Sequence, residues 1–369
     1  MTSLSLFSPL RLGRYELAHR VVMPPLTRMR ADPQGVPHPL APEYYGERAT
    51  PGGFQVAEAT QATPYGKGYP GTPGIHSPEQ VEAWKKVTNA VHAKGGTIFL
   101  QIWHVGRSSH SSFQPGGLLP VAPSAIPITG LQALTPEWKS VPYETPRALE
   151  LDEIPGIVET FRQGARNAMA AGFDGVEVHG ANGYLLEQFL HDHSNKRTDI
   201  YGGSIENRAR LLLEVTQAVI DVFGADRVGV RLSPFGTYND VGDSDPIKLY
   251  TYVLSELNKL DIAYLSLIEA RSAASMEIQT PQSTAELRAL WPKPLIVAGG
   301  FTRATAQDAI RDGRADAVAF GRQFIANPDL PERFRLNAPL NDYDRSTFYG
   351  GGGAGYVDYP ALETVRSAD

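Results

Sequence analysis

Apolar residues recur along the chain in short, nearly continuous runs at 20–23, 54–57, 97–102, 175–179, 228–232, 263–268, 295–298 and 317–320. Runs this short and this apolar suit strands buried on both faces. Between most of them lie stretches with a helical period, at 78–94, 152–171, 183–190, 204–223, 246–259 and 302–312. Repetition of strand then helix predicts parallel strands, because a crossover between parallel neighbours needs that spacer. Eight strands in this alternation predict an α/β fold, a (β/α)8 TIM barrel in one domain spanning residues 1–369. The connection between the first two strands is loop-like, so its helix is the least marked. A doubly wound sheet is the competing topology, but it usually carries a Gly-rich turn after its first strand, and Met23-Pro24-Pro25-Leu26 is not one.

Two stretches fall outside the alternation. Residues 105–150 are too long and Pro-rich for a simple connection and read as an excursion or lid over the C-terminal end of the third strand. Residues 340–369 form a C-terminal tail. A formal G-x-G-x-x-G match at Gly350, Gly352 and Gly355 follows no strand and opens no helix, so it reads as a tightly turning loop.

Composition narrows the function classes. The net charge of −6 with no cluster of Lys and Arg argues against nucleic acid as a partner. Cysteine is absent, which excludes disulfides, a cysteine nucleophile and cysteine-ligated zinc or iron–sulfur centres. The first dozen residues lack a signal-peptide pattern, and the weakly polar stretch 116–134 is broken by Pro120, Pro123 and Pro127. The expectation is a cytoplasmic protein with no membrane association, as a monomer or small homo-oligomer.

In a barrel, chemistry sits where strands end. Those ends carry Thr27 and Arg28; Ala59 and Thr60; Gln101, Trp103 and His104; His179 and Asn182; Arg231; Glu269; Gly299 and Gly300; Gly321 and Arg322. This ring lacks the carboxylate cluster of a hydrolase. Gly299-Gly300 and Gly321-Arg322 follow the last two strands, where barrels recurrently bind phosphate on backbone N–H groups. Tight turns and a surface arginine are the plainer reading of the same residues. His179, Asn182 and Tyr184 together offer an imidazole, an amide and a phenol around one small volume. Singly they would be a core histidine, a helix cap and a packed aromatic. His191 and His193 could suggest a metal-dependent hydrolase, yet no further ligand pattern completes a set, so no metal is expected.

Taken in order, these segments resemble the Old Yellow Enzyme family, in its subgroup of bacterial ene-reductases of the N-ethylmaleimide and nitroester reductase kind. The resemblance runs over almost the whole chain. It rests on Met23-Pro24-Pro25-Leu26-Thr27-Arg28, Glu58-Ala59-Thr60, Gln101-Ile102-Trp103-His104, His179-Gly180-Ala181-Asn182-Gly183-Tyr184, Asn195-Lys196-Arg197-Thr198-Asp199, Arg231-Leu232-Ser233-Pro234, Gly321-Arg322 and Thr347-Phe348-Tyr349-Gly350-Gly351.

The resemblance implies FMN as cofactor and NADPH or NADH as reductant. Pro25, Thr27, Ala59 and Gln101 would lie near the isoalloxazine, Arg231 at its N1 edge, and Gly300, Gly321 and Arg322 near the phosphate. His179 and Asn182 would hold the activating oxygen of an unsaturated carbonyl or nitro substrate. Tyr184 would give a proton to the α-carbon, and Trp103 and Tyr349 would line the substrate pocket. The implied cycle is ping-pong, with nitroester reduction as a further activity. A flavin-binding protein without turnover is the remaining alternative. Two departures stand out. Leu265-Ser266-Leu267-Ile268-Glu269-Ala270-Arg271 lacks the His and Pro of many relatives, which bears on the loop that follows. Thr27 stands where the thermophilic-like branch has cysteine. The absence of cysteine also sets the chain apart from iron–sulfur relatives such as dienoyl-CoA reductases.

Overall fold

The structure is a computed structural model that describes residues 4–269 and 281–362, with the backbone alone for 281–284. Eight strands are parallel and close into a barrel: β1 (Val21–Met23), β2 (Phe54–Gln61), β3 (Thr97–Trp103), β4 (Gly175–Gly180), β5 (Val228–Leu232), β6 (Tyr264–Ile268), β7 (Leu295–Ala298) and β8 (Ala317–Ala319). Closure is made by β8 against β1, with Val318 opposite Val21 and Ala319 opposite Val22. The predicted TIM barrel is therefore the observed fold. The second strand runs four residues beyond its expected end at Ala57, through a register shift between Ala57 and Thr60. Such a bulge re-aims side chains at a barrel rim.

Alternation along the strands sorts side chains into two sets. Val21, Ile98, Leu100, Val176, Val178, Val230 and Leu267 face outward and pack under the helices. Val22, Phe54, Val56, Phe99, Tyr264, Ile296 and Ala298 fill the interior, floored by Leu12 and Leu17. Those last two come from an antiparallel hairpin, Leu10–Leu12 with Tyr15–Leu17, which covers one mouth of the barrel. Gln101, Glu177, His179 and Arg231 fall on the interior side of their strands, two or four residues from apolar interior or glycine positions. Polar groups thus enter the barrel only near its C-terminal end.

The helices follow the strands: α1 (Ala41–Glu47), α2 (Pro78–His92), α3 (Ile154–Ala170), α4 (Leu185–Leu190), α5 (Ile205–Phe223), α6 (Pro246–Lys259), α7 (Pro281–Leu290) and α8 (Arg303–Arg311). The loop-like first connection contains the seven-residue α1, and α7 is a helix that the apolar pattern does not mark. Helix starts are chemically signposted. Ser77 and Gln80 form a reciprocal capping box at α2, and Ser204 accepts from Asn207 N–H at α5. Two further helices, α9 (Gly321–Ala326) and α10 (Leu330–Leu336), lead into the C-terminal segment. No helix among the described residues is long and apolar enough to cross a membrane.

The excursion over residues 105–150 carries two short ladders, Val121–Ala122 with Arg147–Ala148 and Gln132–Leu134 with Ser140–Pro142. Arg107 ties its base down by donating to the carbonyls of Ile126 at 3.0 Å and Asn239 at 3.2 Å. Two buried arginines clamp the C-terminal segment. Arg28 donates to the carbonyls of Phe348 at 2.9 Å and Gly355 at 2.7 Å, and Arg30 to those of Gly352 and Ala354, each at 3.0 Å. The Gly350–Gly352–Gly355 match lies within this clamped turn. A Cβ on Gly355, whose φ is +64°, would fall 1.9 Å from Thr347 Oγ1.

Candidate active site

A cavity of about 580 Å³ opens at the C-terminal mouth of the barrel. Pro25 and Thr27 after β1, Arg231 on β5, Gly300 after β7, and Gly321 and Arg322 after β8 line it, with Tyr349 of the C-terminal segment. Six of the eight residues expected at a cofactor therefore share one wall. Ala59 and Gln101 do not reach it. Ala59 packs with Trp103 and Tyr184, and Gln101 Nε2 donates to Glu177 Oε1 at 2.8 Å.

The wall over the last two strands is mostly backbone. Gly299 and Gly300 have φ of +148° and +73°, conformations that L side chains rarely adopt. A Cβ on Gly299 would lie 2.8 Å from that of Glu269. Such a surface lets an anionic group approach peptide N–H groups closely, and Arg322 adds a cation beside Tyr343, whose hydroxyl lies 3.3 Å away.

Arg231 decides the character of the inner wall. Its guanidinium is buried, and Nε has no hydrogen-bond partner among the described residues. The nearest opposite charge is Glu177, which burial pushes above the usual carboxylate range while Arg231 pulls it back. Glu177 also accepts from Tyr264 at 2.9 Å. Arg231 nevertheless lines the cavity, and a buried cation there fits a ligand that gains negative charge, as the N1 edge of a reduced flavin does.

Beside this wall stands a block of rings. The Trp103 ring stacks on His179 at 6.0 Å and 11° and meets the edge of Tyr184 at 4.7 Å. His179 Nδ1 accepts from Ala181 N–H at 3.3 Å, which leaves the proton on Nε2. Burial and then Arg231 hold the imidazole well below its ordinary pKa, so it stays neutral. Asn182 is not a helix cap; that position belongs to Tyr184. Asn182 adopts a left-handed φ of +58°, its N–H donates to Ser233 Oγ at 2.8 Å, and its carbonyl accepts from Asn239 at 2.9 Å. The side-chain amide itself has no partner among the described residues. Burial raises the Tyr184 phenol above its usual pKa, and its hydroxyl lies 3.3 Å from that of Tyr69.

What aims this turn is a residue the sequence reading passes over. Glu187 on α4 is fully buried and accepts from Gly183 N–H at 2.5 Å, Ser233 Oγ at 2.6 Å and Tyr250 at 3.2 Å. An acid inside Leu185-Leu186-Glu187-Gln188-Phe189-Leu190 was the available signal. Glu177, alternating with Val176 and Val178, was another; Tyr69 and Tyr238 gave none. His191 and His193 do not converge on a common site. His191 is buried against Tyr250 at 3.0 Å, His193 is exposed, and no third ligand joins them among the described residues. Of the departing segment after β6, Glu269 is described, whereas Ala270 and Arg271 lie outside the described residues.

Residues 5–341 match the NADH:flavin oxidoreductase / NADH oxidase family. The chain belongs to that family. 12-oxophytodienoate reductase 2 of Arabidopsis thaliana is 50% identical over 365 residues, covering 98% of this chain and 97% of the relative. Among solved structures, morphinone reductase superposes with a TM-score of 0.94 at 49% identity, covering 98% of each chain. The Old Yellow Enzyme homologue of Zymomonas mobilis gives 0.93 at 44% identity, covering 97% of this chain and all of the other. The protein is thus an Old Yellow Enzyme, an FMN-dependent NAD(P)H ene-reductase. The buried Arg231 cation, the glycine-lined wall and Arg322 suit the flavin and its phosphate.

Proposed function

We propose that this Old Yellow Enzyme reduces the C=C bond of α,β-unsaturated carbonyl or nitro compounds at the His179–Asn182–Tyr184 cluster. One observation carries the reading: His179 Nε2 and the Asn182 amide are two donors without a protein partner among the described residues, beside a phenol that burial keeps protonated. Bound FMN supplies the hydride chemistry. Pro25 and Thr27 would flank its ring with Ala59 and Gln101 behind them, Arg231 would balance negative charge on its reduced form, and Gly300, Gly321 and Arg322 would hold its phosphate.

His179 and Asn182 donate to the substrate oxygen, where negative charge collects as the β-carbon is reduced. Tyr184 gives its proton to the α-carbon. Tyr349 would wall the substrate in from the cavity, and Trp103 from behind the His179 ring on which it stacks. Nicotinamide and acceptor would use the same site in turn, a ping-pong order. Relatives named for reduction of 12-oxophytodienoate and morphinone support the enone class, and one solved morphinone reductase holds tetrahydroNAD. The same donor pair suits a nitro oxygen, so nitrate esters belong among the acceptors.

The test is anaerobic stopped-flow. Enzyme bleached by NADPH is mixed with an enone, a maleimide, a nitroalkene and a nitrate ester, and flavin reoxidation is followed. Tyr184→Phe should leave bleaching by NADPH unchanged and slow alkene reduction by about 10² to 10⁴, the range of general acid catalysis. Equal slowing of both half-reactions would remove the assigned role.

A further inference from the structure

Tyr184 sits under a canopy of phenols drawn from four other stretches of chain. Tyr69 follows β2, Tyr143 lies on the excursion, Tyr238 follows β5 and Tyr349 belongs to the C-terminal segment. The Tyr69 hydroxyl is 3.3 Å from that of Tyr184, and its ring stacks on Trp103 at 5.9 Å and 17°. Burial raises the Tyr69 phenol above its usual pKa, and the neighbouring Tyr184, Tyr238 and Tyr143 phenols add to the rise. Exposure rises along this series: Tyr184 is 8% exposed, Tyr69 9% and Tyr238 55%. A Cβ on Gly183 would lie 2.3 Å from the Tyr238 carbonyl, so the loop bearing Tyr238 packs directly over the Tyr184 turn.

If Tyr184 is the acid of the proposed function, each turnover leaves a buried phenolate that must regain a proton before the next. The nearest donor is Tyr69. We propose that Tyr69 relays that proton, taking its own from Tyr238 or Tyr143, which draw on solvent. The inference rests on the acid role of Tyr184. In balance, the Tyr184 O–H bond breaks as the α-carbon C–H bond forms. The Tyr69 O–H then breaks as the Tyr184 O–H is restored, and the Tyr238 or Tyr143 O–H breaks as that of Tyr69 is restored. One solvent proton enters per turnover, the nicotinamide remains the reductant, and no charge accumulates. Transfer between phenols has little driving force either way, which suits a reversible relay. Tyr69 acts through Tyr184 and needs no contact with substrate.

The holoenzyme variant Tyr69→Phe tests this, since the ring that stacks on Trp103 is kept. Reduced enzyme reoxidised once by an enone uses the proton already on Tyr184, so the first turnover should stay within about twofold of the parent. With excess dithionite to re-reduce the flavin quickly, later turnovers should slow about tenfold or more, as expected when a positioned proton donor is lost. Millimolar imidazole should restore them. The double variant Tyr143→Phe/Tyr238→Phe should behave the same way. A readout independent of turnover uses 3-fluorotyrosine throughout the chain. The Tyr184 ¹⁹F signal, assigned by its loss in Tyr184→Phe, should move in the double variant although neither altered residue bonds to Tyr184. Parental later turnovers in Tyr69→Phe, or first and later turnovers slowed alike, would overturn the relay. A parental first turnover in Tyr184→Phe would instead overturn the acid role itself.

Discussion

Replacing Glu187 by Gln isolates the charge beneath the Asn182–Tyr184 turn. Burial pushes the Glu187 carboxyl up to about 7, and hydrogen bonds from Ser233, Gly183 and Tyr250 oppose that shift without cancelling it. An unfolded glutamate titrates near 4.5. Below that pH both states are protonated, and this group adds no pH dependence. Between about 4.5 and 7 the folded chain holds a proton that the unfolded chain has lost, so stability falls as pH rises. Above the folded value the loss is complete. A gap of about 2.5 units at 1.36 kcal/mol each amounts to roughly 3 kcal/mol, as an order of magnitude. Glutamine imitates the protonated acid, and the variant should match the parent within about 1 kcal/mol at pH 4.5. By pH 8 it should be the more stable of the two by about 3 kcal/mol. Urea unfolding of both holoproteins at several pH values measures the difference. Parallel stability curves for parent and Glu187→Gln across this range would refute the reasoning, because the buried charge would then carry no cost.

Other outcomes follow from the same geometry. Asn182→Gly removes the amide while keeping a residue at ease at φ +58°, and should weaken binding of a phenol, used as a probe whose oxygen stands in for the substrate oxygen, about tenfold, the equivalent of one hydrogen bond near 1.4 kcal/mol; an unchanged phenol titration would take the amide out of the site. Gly299→Ala places a Cβ 2.8 Å from that of Glu269 at a φ of +148°, and should loosen FMN, read as flavin fluorescence released on dilution. Because His179 is held neutral well below its ordinary pKa, phenol binding should show no imidazole ionisation between about pH 5 and 8; an inflection near 6.5 would contradict that environment. Arg28→Met leaves the carbonyls of Phe348 and Gly355 without their donor, and limited proteolysis should cut the segment around 344–357 sooner than in the parent.

The order of strands and helices was legible in the chain because burial on both faces of a parallel sheet demands unbroken apolar runs. The strand-end residues were legible for a related reason: a polar group that closes such a run, as His179 and Arg231 do, has no place but the barrel mouth. Asn182 shows the limit. Its spacing from His179 was readable, but its left-handed backbone and free amide arise from Ser233 and Asn239, more than fifty residues away. The bulge in β2, the helix α1 and the packing of Ala59 and Gln101 away from the cavity also depend on neighbours that no local pattern reveals.

The same division runs through the site as a whole. Local sequence determined which residues carry chemistry, since residue type and strand position are properties of short segments. Tertiary structure decided their states. The neutral imidazole, the raised phenol, the buried Arg231 cation and the buried Glu187 each depend on desolvation and on charges brought close by barrel closure. Tyr69, Tyr143 and Tyr238 look like ordinary loop tyrosines until folding gathers them over Tyr184, because proximity between distant segments is written only in the closed barrel.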